Sequence, residues 1–200
     1  MVLQAYKEVL EELYGVQLSR NAIKEKIKNF FKVHSIFFVL MNIEYYGLIL
    51  YDGTILINQI YLGGKSNRNS LTILFTLMHE IMHALSRMVR GDDNFLLNTD
   101  NFTKSKNTSF NESGNYFENK LLFSVLKAKE LTSIEAGFFL ETSNYGHETI
   151  DDFHKAFIDF RNKNANIINS APTFSVGKEN NNDSFTYNFG CYCAGSRSNY

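Results

Sequence analysis

Two histidines and a glutamate with helical spacing are the residues of this chain best suited to chemistry. His79 and His83 stand four positions apart, with Glu80 directly after the first of them. On an α-helix, residues i and i+4 lie one above the other on the same face, so two imidazoles at this spacing can bind one ion. Zinc lowers the pKa of a bound water toward about 7, and a neighbouring carboxylate can take the proton. The pattern predicts one Zn²⁺ ion and metal-assisted hydrolysis, with Glu80 as the general base.

The composition of the surrounding helix supports this interpretation. Between positions 70 and 90 nearly all residues outside one polar stripe are apolar, which is typical of a helix buried on most of its surface. Unpaired buried polar groups are costly, so the stripe must face partners, a cavity or a metal. Arg87 is a candidate ligand for a substrate carboxylate, and pairing with a structural acid is the alternative. A second alternative is that the histidines pair with carboxylates in the core.

A zinc peptidase needs three protein ligands and an open fourth position. A third histidine in the HExxHxxGxxH arrangement is absent, because Val89 stands six residues after His83. The next predicted helix, at 111–131, offers Glu112 and Glu118 instead. Two small residues follow Glu112 and would let its backbone approach the metal helix, so we expect Glu112 to be the third ligand. Glu118 is the alternative ligand, and otherwise the partner of a histidine N–H; for either glutamate, simple complementarity to the helix dipole stays open.

The two segments together resemble the gluzincin branch of the zincin metallopeptidases. That group pairs HExxH with a glutamate on a downstream helix, often within an Asn-Glu-small segment such as Asn111–Ser113. The step from Glu112 to Glu118 is also similar to the corresponding helix of anthrax lethal factor. The resemblance covers about residues 54–126 and implies a mixed sheet, whose edge strand binds extended substrate, and two metal helices. It departs from the thermolysin pattern at Tyr116, where that pattern has an acidic residue.

A zinc hydrolase also needs a donor for the developing oxyanion. Tyr145 and His147 flank a glycine in a predicted loop, where a side chain can reach a cleft. They are the candidate donors, and the alternative is that both are ordinary surface residues.

Three functions follow from these residues. The first is a zinc-dependent peptidase that acts on a peptide or protein substrate, aligned by main-chain hydrogen bonds to an edge strand near 54–62. The second is a zincin-fold binding module without useful catalysis, which the intact Glu80 disfavours. The third is a toxin or effector protease with one specific protein substrate.

The elements that must position these residues are predicted from periodicity and turn signals. We expect an α+β, zincin-like domain at 1–175, with a small antiparallel or mixed sheet packed on the metal helices. Residues 176–200 are expected to form a polar tail, and the alternative is a late strand near 185–189. Asp52-Gly53 predicts a hairpin in which both turn residues have positive φ. The predicted helices lie at 3–13, 19–34, 70–90, 111–131, 133–140 and 150–164, and the predicted strands at 36–40, 44–51 and 54–62.

Bulk composition excludes some classes of protein. The net charge of −1 over 200 residues gives no sign of a nucleic-acid partner. No run approaches the roughly 18 apolar residues of a membrane span, and the charged N-terminus is unlike a signal peptide. Cys191 and Cys193 are the only cysteines, so we expect no disulfide framework, which slightly favours the cytoplasm. They are too few to form a soft-metal site by themselves.

Overall fold

Helices predominate in the computed structural model, which describes residues 1–42, 45–63, 66–91, 113–122 and 130–175. The α+β class is confirmed. Within these ranges, no helix is long and apolar enough to cross a membrane. The predicted tail at 176–200 lies outside the described residues. The helices are α1 (Val2–Tyr14), α2 (Arg20–Val33), α3 (Asn67–Val89), α4 (Ser113–Leu122), α5 (Ser133–Leu140), α6 (Ile150–Lys163) and α7 (Ala165–Ile168), and the strands are β1 (Ile36–Val39), β2 (Gly47–Ile49), β3 (Ile55–Asn58), β4 (Glu130–Thr132) and β5 (Thr173–Ser175).

Local signals place the two N-terminal helices correctly. Gly15 ends α1 in the left-handed conformation, with φ of 67°, which a glycine adopts without steric cost. Ser19 caps α2 by accepting a hydrogen bond from the Ala22 N–H. Both ends agree with the predicted bounds, because each depends only on residues within one turn.

The first sheet is mixed, with strand order β1-β3-β2. β3 pairs with β1 in parallel and with β2 in antiparallel orientation. The prediction that residues 54–62 supply an edge strand is therefore wrong, because β3 is paired on both sides. Ile55 and Ile57 are buried, whereas Phe37 and Phe38 of β1 are exposed, so the most buried strand takes the centre.

The predicted hairpin joins β2 to β3, but its turn differs from the expected one. The Gly53 N–H donates to the Leu50 carbonyl at 3.1 Å, so Tyr51 and Asp52 are the central turn residues. Gly53, which follows them, has a positive φ of 82°. The loop is thus one residue longer than the predicted two-residue turn.

The structure also corrects two bounds further along the chain and adds a strand pair. α3 begins at Asn67, one turn before the predicted cap at Ser70, because Ser66 accepts a hydrogen bond from the Asn69 N–H. The predicted helix at 111–131 ends within its range, since residues 130–132 form β4. β4 pairs in antiparallel orientation with β5, which no sequence pattern indicated.

One core connects these elements around α3. Tyr6 and Leu10 of α1, Phe75 and Leu85 of α3, and Phe117 of α4 belong to it. A group of phenylalanines joins α5 to α6; its members are Phe138, Phe139, Phe153, Phe157 and Phe160. The histidine helix is therefore held on several faces at once.

Candidate metal centre

The two histidines of α3 face each other inside the molecule. His79 and His83 are 1% and 0% exposed, and Glu80 is 2% exposed. The Nε2 atoms of the two imidazoles lie 3.1 Å apart. One helical turn separates the residues, so the backbone alone places both rings on one face, as the spacing predicted.

The other nitrogen of each ring meets a side chain of α4. Glu118 Oε1 lies 2.7 Å from His79 Nδ1, and Ser113 Oγ lies 3.4 Å from His83 Nδ1. A carboxylate accepts hydrogen bonds, so the proton of neutral His79 belongs on Nδ1 and its Nε2 lone pair is available. This is the arrangement in which a histidine binds a metal while its second N–H is held by a carboxylate.

The position of Glu118 bears on the choice of third ligand. Its carboxylate contacts the Nδ1 edge of His79, on the opposite side of the ring from the Nε2 atoms that face each other. From there it does not reach an ion bound between the two Nε2 atoms. The geometry thus suits the role of a histidine partner and does not suit the alternative role of ligand.

The start of α4 packs directly over the histidines. Ser113 is fully buried, and a Cβ atom at Gly114 would lie 2.4 Å from His79 Nε2, too close for nonbonded atoms. The expected close approach of the two small residues is therefore confirmed. Glu112, the predicted third ligand, immediately precedes them and lies outside the described residues.

Glu80 lies beside the edge strand β2. A Cβ atom at Gly47 would be 3.3 Å from Glu80 Oε1 and 2.3 Å from Thr76 Cγ2. Only glycine lets the strand come this close to α3. The candidate base therefore stands next to the edge of the sheet.

Tyr145 and His147, the candidate oxyanion donors, are placed elsewhere. The Tyr145 hydroxyl donates to the Phe139 carbonyl, and its ring stacks on Phe153 at 5.6 Å. Burial raises the pKa of Tyr145. The His147 ring also lies against Phe153, at 6.3 Å. Within the described part of the chain, the structure does not bring either residue to the histidine pair, because their loop folds back onto the end of α5.

Arg87, the candidate ligand for a substrate carboxylate, is buried. Its guanidinium donates to the Leu50 carbonyl at 3.1 Å, at the start of the β2–β3 turn. This contact ties the hairpin to α3. The structure therefore shows Arg87 bound to the backbone of the hairpin, and its contact with a substrate carboxylate stays a prediction.

Two tyrosines of α1 lie near the histidines, and the sequence analysis did not identify them as site residues. The Tyr6 hydroxyl donates to the Met78 carbonyl at 2.8 Å, and the ring stacks on Phe117 at 4.4 Å. Burial raises the pKa of Tyr6, and the nearby charge of His79 opposes this. Burial also raises the pKa of Tyr14, and Ser86 and Ser113 oppose this. The only signal in the sequence was their eight-residue spacing, which puts both on one face of α1.

The donor set fits part of a zinc site. Two imidazole nitrogens converge, each ring has a partner on its other nitrogen, and Gly114 packs against the His79 imidazole, where a Cβ atom would clash. Among the described residues, no group of three or more His, Cys, Asp or Glu side chains is arranged to hold a metal. Glu112, Cys191 and Cys193 lie outside those residues.

Comparisons of the chain with family models, with curated proteins and with solved structures find no match. The likeness to the gluzincin metallopeptidases therefore rests on the residues themselves. These are the HExxH segment of α3 and the Asn-Glu-Ser segment that leads into α4.

Proposed function

We propose that this chain is a zinc-dependent peptidase of the gluzincin type, with His79, His83 and Glu112 as ligands. One observation carries the proposal. The Nε2 atoms of two buried histidines face each other at 3.1 Å, while their Nδ1 atoms contact Glu118 and Ser113. A single tetrahedral ion about 2.0–2.1 Å from each nitrogen would bring the two nitrogens to roughly this separation.

The electrostatics of the pair favours a cation between the rings. If each Nδ1 carries the proton, both Nε2 lone pairs point at each other across 3.1 Å in a buried site. Two facing lone pairs repel unless a proton or a cation lies between them. The alternative is a proton shared within a structural histidine pair, and zinc analysis distinguishes the two.

Glu80 would act as the general base, and β2 would align the substrate. A zinc ion held by these nitrogens would supply a Lewis acid that activates water toward a peptide carbonyl. Glu80 would take the proton of the attacking water and deliver it to the leaving amine. β2, at the edge of the described sheet, would align an extended substrate by main-chain hydrogen bonds, a role first expected of residues 54–62.

Metal analysis combined with hydrolysis of a peptide library tests the proposal. We expect about one equivalent of zinc in the wild type, the same in Glu80→Gln, and none in Glu112→Ala. Glu118→Ala should retain zinc with affinity about 10–100-fold lower, because it loses only the partner of His79. Hydrolysis by Glu80→Gln should fall about 10²–10⁴-fold, since a general base contributes an effect of that size. Glu148→Gln, at an exposed position, is the matched control.

Three different results would each contradict one part of the proposal. A wild type that contains no zinc, purified without chelator, would overturn the metal centre. Unchanged hydrolysis in Glu80→Gln would overturn the role of the base. Bound zinc with no hydrolysis of any peptide by the wild type would instead establish the binding module.

A further inference from the structure

A buried asparagine at the end of β3 binds the connection that leads into β2. The Asn58 side chain is 0% exposed. Its amide nitrogen donates to the backbone carbonyls of Met41, Asn42 and Tyr45, at 3.3, 3.1 and 2.8 Å respectively. We propose that Asn58 is a positioning residue for peptide hydrolysis, and that it acts by holding β2 in place for an extended substrate. This inference rests on the proposed function and names a residue that supports the same site.

The sheet topology explains why an amide side chain is needed at this position. β1 and β2 lie on opposite sides of β3, so the chain between them crosses the end of the central strand. Val39, which ends β1, is paired with Asn58, and Gly47, which begins β2, is paired with Ile57. Buried carbonyls in such a crossing segment are costly unless they find donors. Asn58 supplies the donors, and its Oδ1 atom accepts from the Ile60 N–H at 3.3 Å.

The segment that Asn58 holds ends beside the candidate base. The backbone N–H of Asn58 donates to the Tyr46 carbonyl at 2.9 Å. The next residue is Gly47, where a Cβ atom would lie 3.3 Å from Glu80 Oε1. The Tyr46 ring also stacks on Tyr61, with centroids 5.2 Å apart. The start of β2 is therefore held from the end of β3 by backbone and side chains together.

The position of β2 matters because an extended substrate would take its alignment from it. β2 has three residues paired with β3, so its own ladder is short. A displacement of about 1 Å in the reacting geometry can cost roughly a hundredfold in rate. Without the amide donors of Asn58, the crossing segment must find other partners, and the start of β2 would move with it. His79 and His83 lie on α3, so the metal ligands would stay in place.

Asn58→Asp tests this inference, and Asn144→Asp is its matched control. Aspartate keeps an oxygen for the Ile60 N–H but has no N–H for the three carbonyls. Asn144 also donates its amide to a backbone carbonyl, that of Phe138 at 2.8 Å, beyond the end of α5. We expect kcat/KM for an extended library peptide to fall about tenfold in Asn58→Asp, mainly through a higher KM, and to change less than about twofold in Asn144→Asp. Zinc content should equal that of the wild type in both variants.

The length of the peptide separates positioning from a general loss of structure. A version shortened to the residues next to the scissile bond makes few contacts with β2, so its kcat/KM should fall much less than that of the full peptide. An equal loss for both lengths, a loss of zinc, or unchanged kcat/KM for the full peptide would each overturn the inference. Asn58→Ala, which introduces no charge, gives the same comparison if the aspartate variant does not fold.

Hydrogen exchange tests the role of Asn58 without a substrate. Relative to the amides of α1, the β2 amides should exchange about tenfold faster in Asn58→Asp than in the wild type, because local opening of β2 becomes easier. They should exchange at the wild-type rate in Asn144→Asp. Unchanged exchange of β2 in Asn58→Asp would overturn the inference whatever the activity. If β2 exchange depends on Asn58 but the wild type hydrolyses no peptide, the holding of β2 stands and the proposed function fails.

Discussion

At the scale of single residues, two glycines determine how closely backbone approaches the reactive side chains. Gly114 lets the start of α4 pack against His79, and Gly47 lets β2 pass beside Thr76 and Glu80. Neither glycine has a positive φ, so conformational freedom does not explain them. The absence of a Cβ atom is what the site requires at both positions.

Gly114→Ala is predicted to disrupt the site more than the fold. The new methyl group would lie 2.4 Å from His79 Nε2, so the imidazole or α4 must move. We expect an unfolding free energy lower by about 1–3 kcal/mol, as for other overpacked positions. Zinc titration should show at least tenfold weaker binding, because a ligand is displaced. Chemical denaturation and zinc titration measure the two effects.

Gly137→Ala is the control for this prediction. It also replaces a helical glycine, but its Cβ would be 3.6 Å from the nearest atom, in ordinary contact. Alanine favours the helix by roughly 0.5–1 kcal/mol, so this variant should be more stable than the wild type. Wild-type zinc affinity in Gly114→Ala would contradict the close packing of α4 on His79.

At the scale of secondary-structure elements, the start of α3 shows how tertiary contacts choose between two similar signals. Ser66 and Ser70 are both good caps for the same apolar helix. The Asn67 side chain donates to the Ser133 carbonyl at 2.8 Å, and Asn69 donates to the Gly63 carbonyl at 2.7 Å. These bonds anchor the first turn to other parts of the chain, so the helix begins at the earlier serine.

Replacement of each serine distinguishes the two caps. Ser66→Ala should lower the unfolding free energy by about 1 kcal/mol, because the Asn69 N–H loses its acceptor. Ser70→Ala should be neutral or stabilising by up to roughly 0.5 kcal/mol, since alanine is the better helix former. Denaturant titration of both variants measures this. If Ser70→Ala were instead the more destabilising variant, α3 would begin after Ser70, as the sequence predicted.

At the scale of the whole molecule, α1 is joined to α4 across more than a hundred residues. Lys120 of α4 pairs with Glu12 and also with Glu8 Oε2, the latter at 3.1 Å. Tyr116 donates to the same Glu12 carboxylate. These contacts hold α4 between α1 and α3, which fixes the helix that carries Glu118.

The α1–α4 contact should depend on pH. Burial raises the pKa of Glu12, but hydrogen bonds from Lys120 and Tyr116 and the charge of Lys120 bring it below the ordinary value of 4.5. A carboxylate with a lowered folded-state pKa contributes stability above 4.5, and this is lost as pH falls through the lower value. Glu12→Gln should therefore reduce the unfolding free energy by about 0.2–1 kcal/mol at pH 7, a range typical of exposed pairs.

The test compares Glu12→Gln with the wild type by denaturation from pH 7 to pH 3. The difference between them should shrink below pH 4.5, as Glu12 becomes protonated in the wild type. Glu25→Gln is the control, because Glu25 pairs with Lys28 on the exposed face of α2. Glu25→Gln should lower the unfolding free energy by less than Glu12→Gln does. A difference for Glu12→Gln that stays constant with pH would contradict the ion-pair contribution.

The sequence by itself determined what depends on one or two turns of backbone. The i, i+4 spacing puts His79 and His83 on one face, Ser19 and Gly15 bound their helices, and the small residues after Glu112 allow close packing. Each of these follows from local geometry and steric size, which do not change with the rest of the fold.

Only the tertiary structure decided which distant groups meet. It put Glu118 beside the Nδ1 of His79, packed Gly114 against the imidazole of His79, and placed Tyr145 against Phe153. It also made β3 central instead of an edge. These outcomes depend on packing between segments far apart in sequence. The local pattern of one segment is compatible with several partner segments, and the arrangement that buries the most apolar surface is the one adopted.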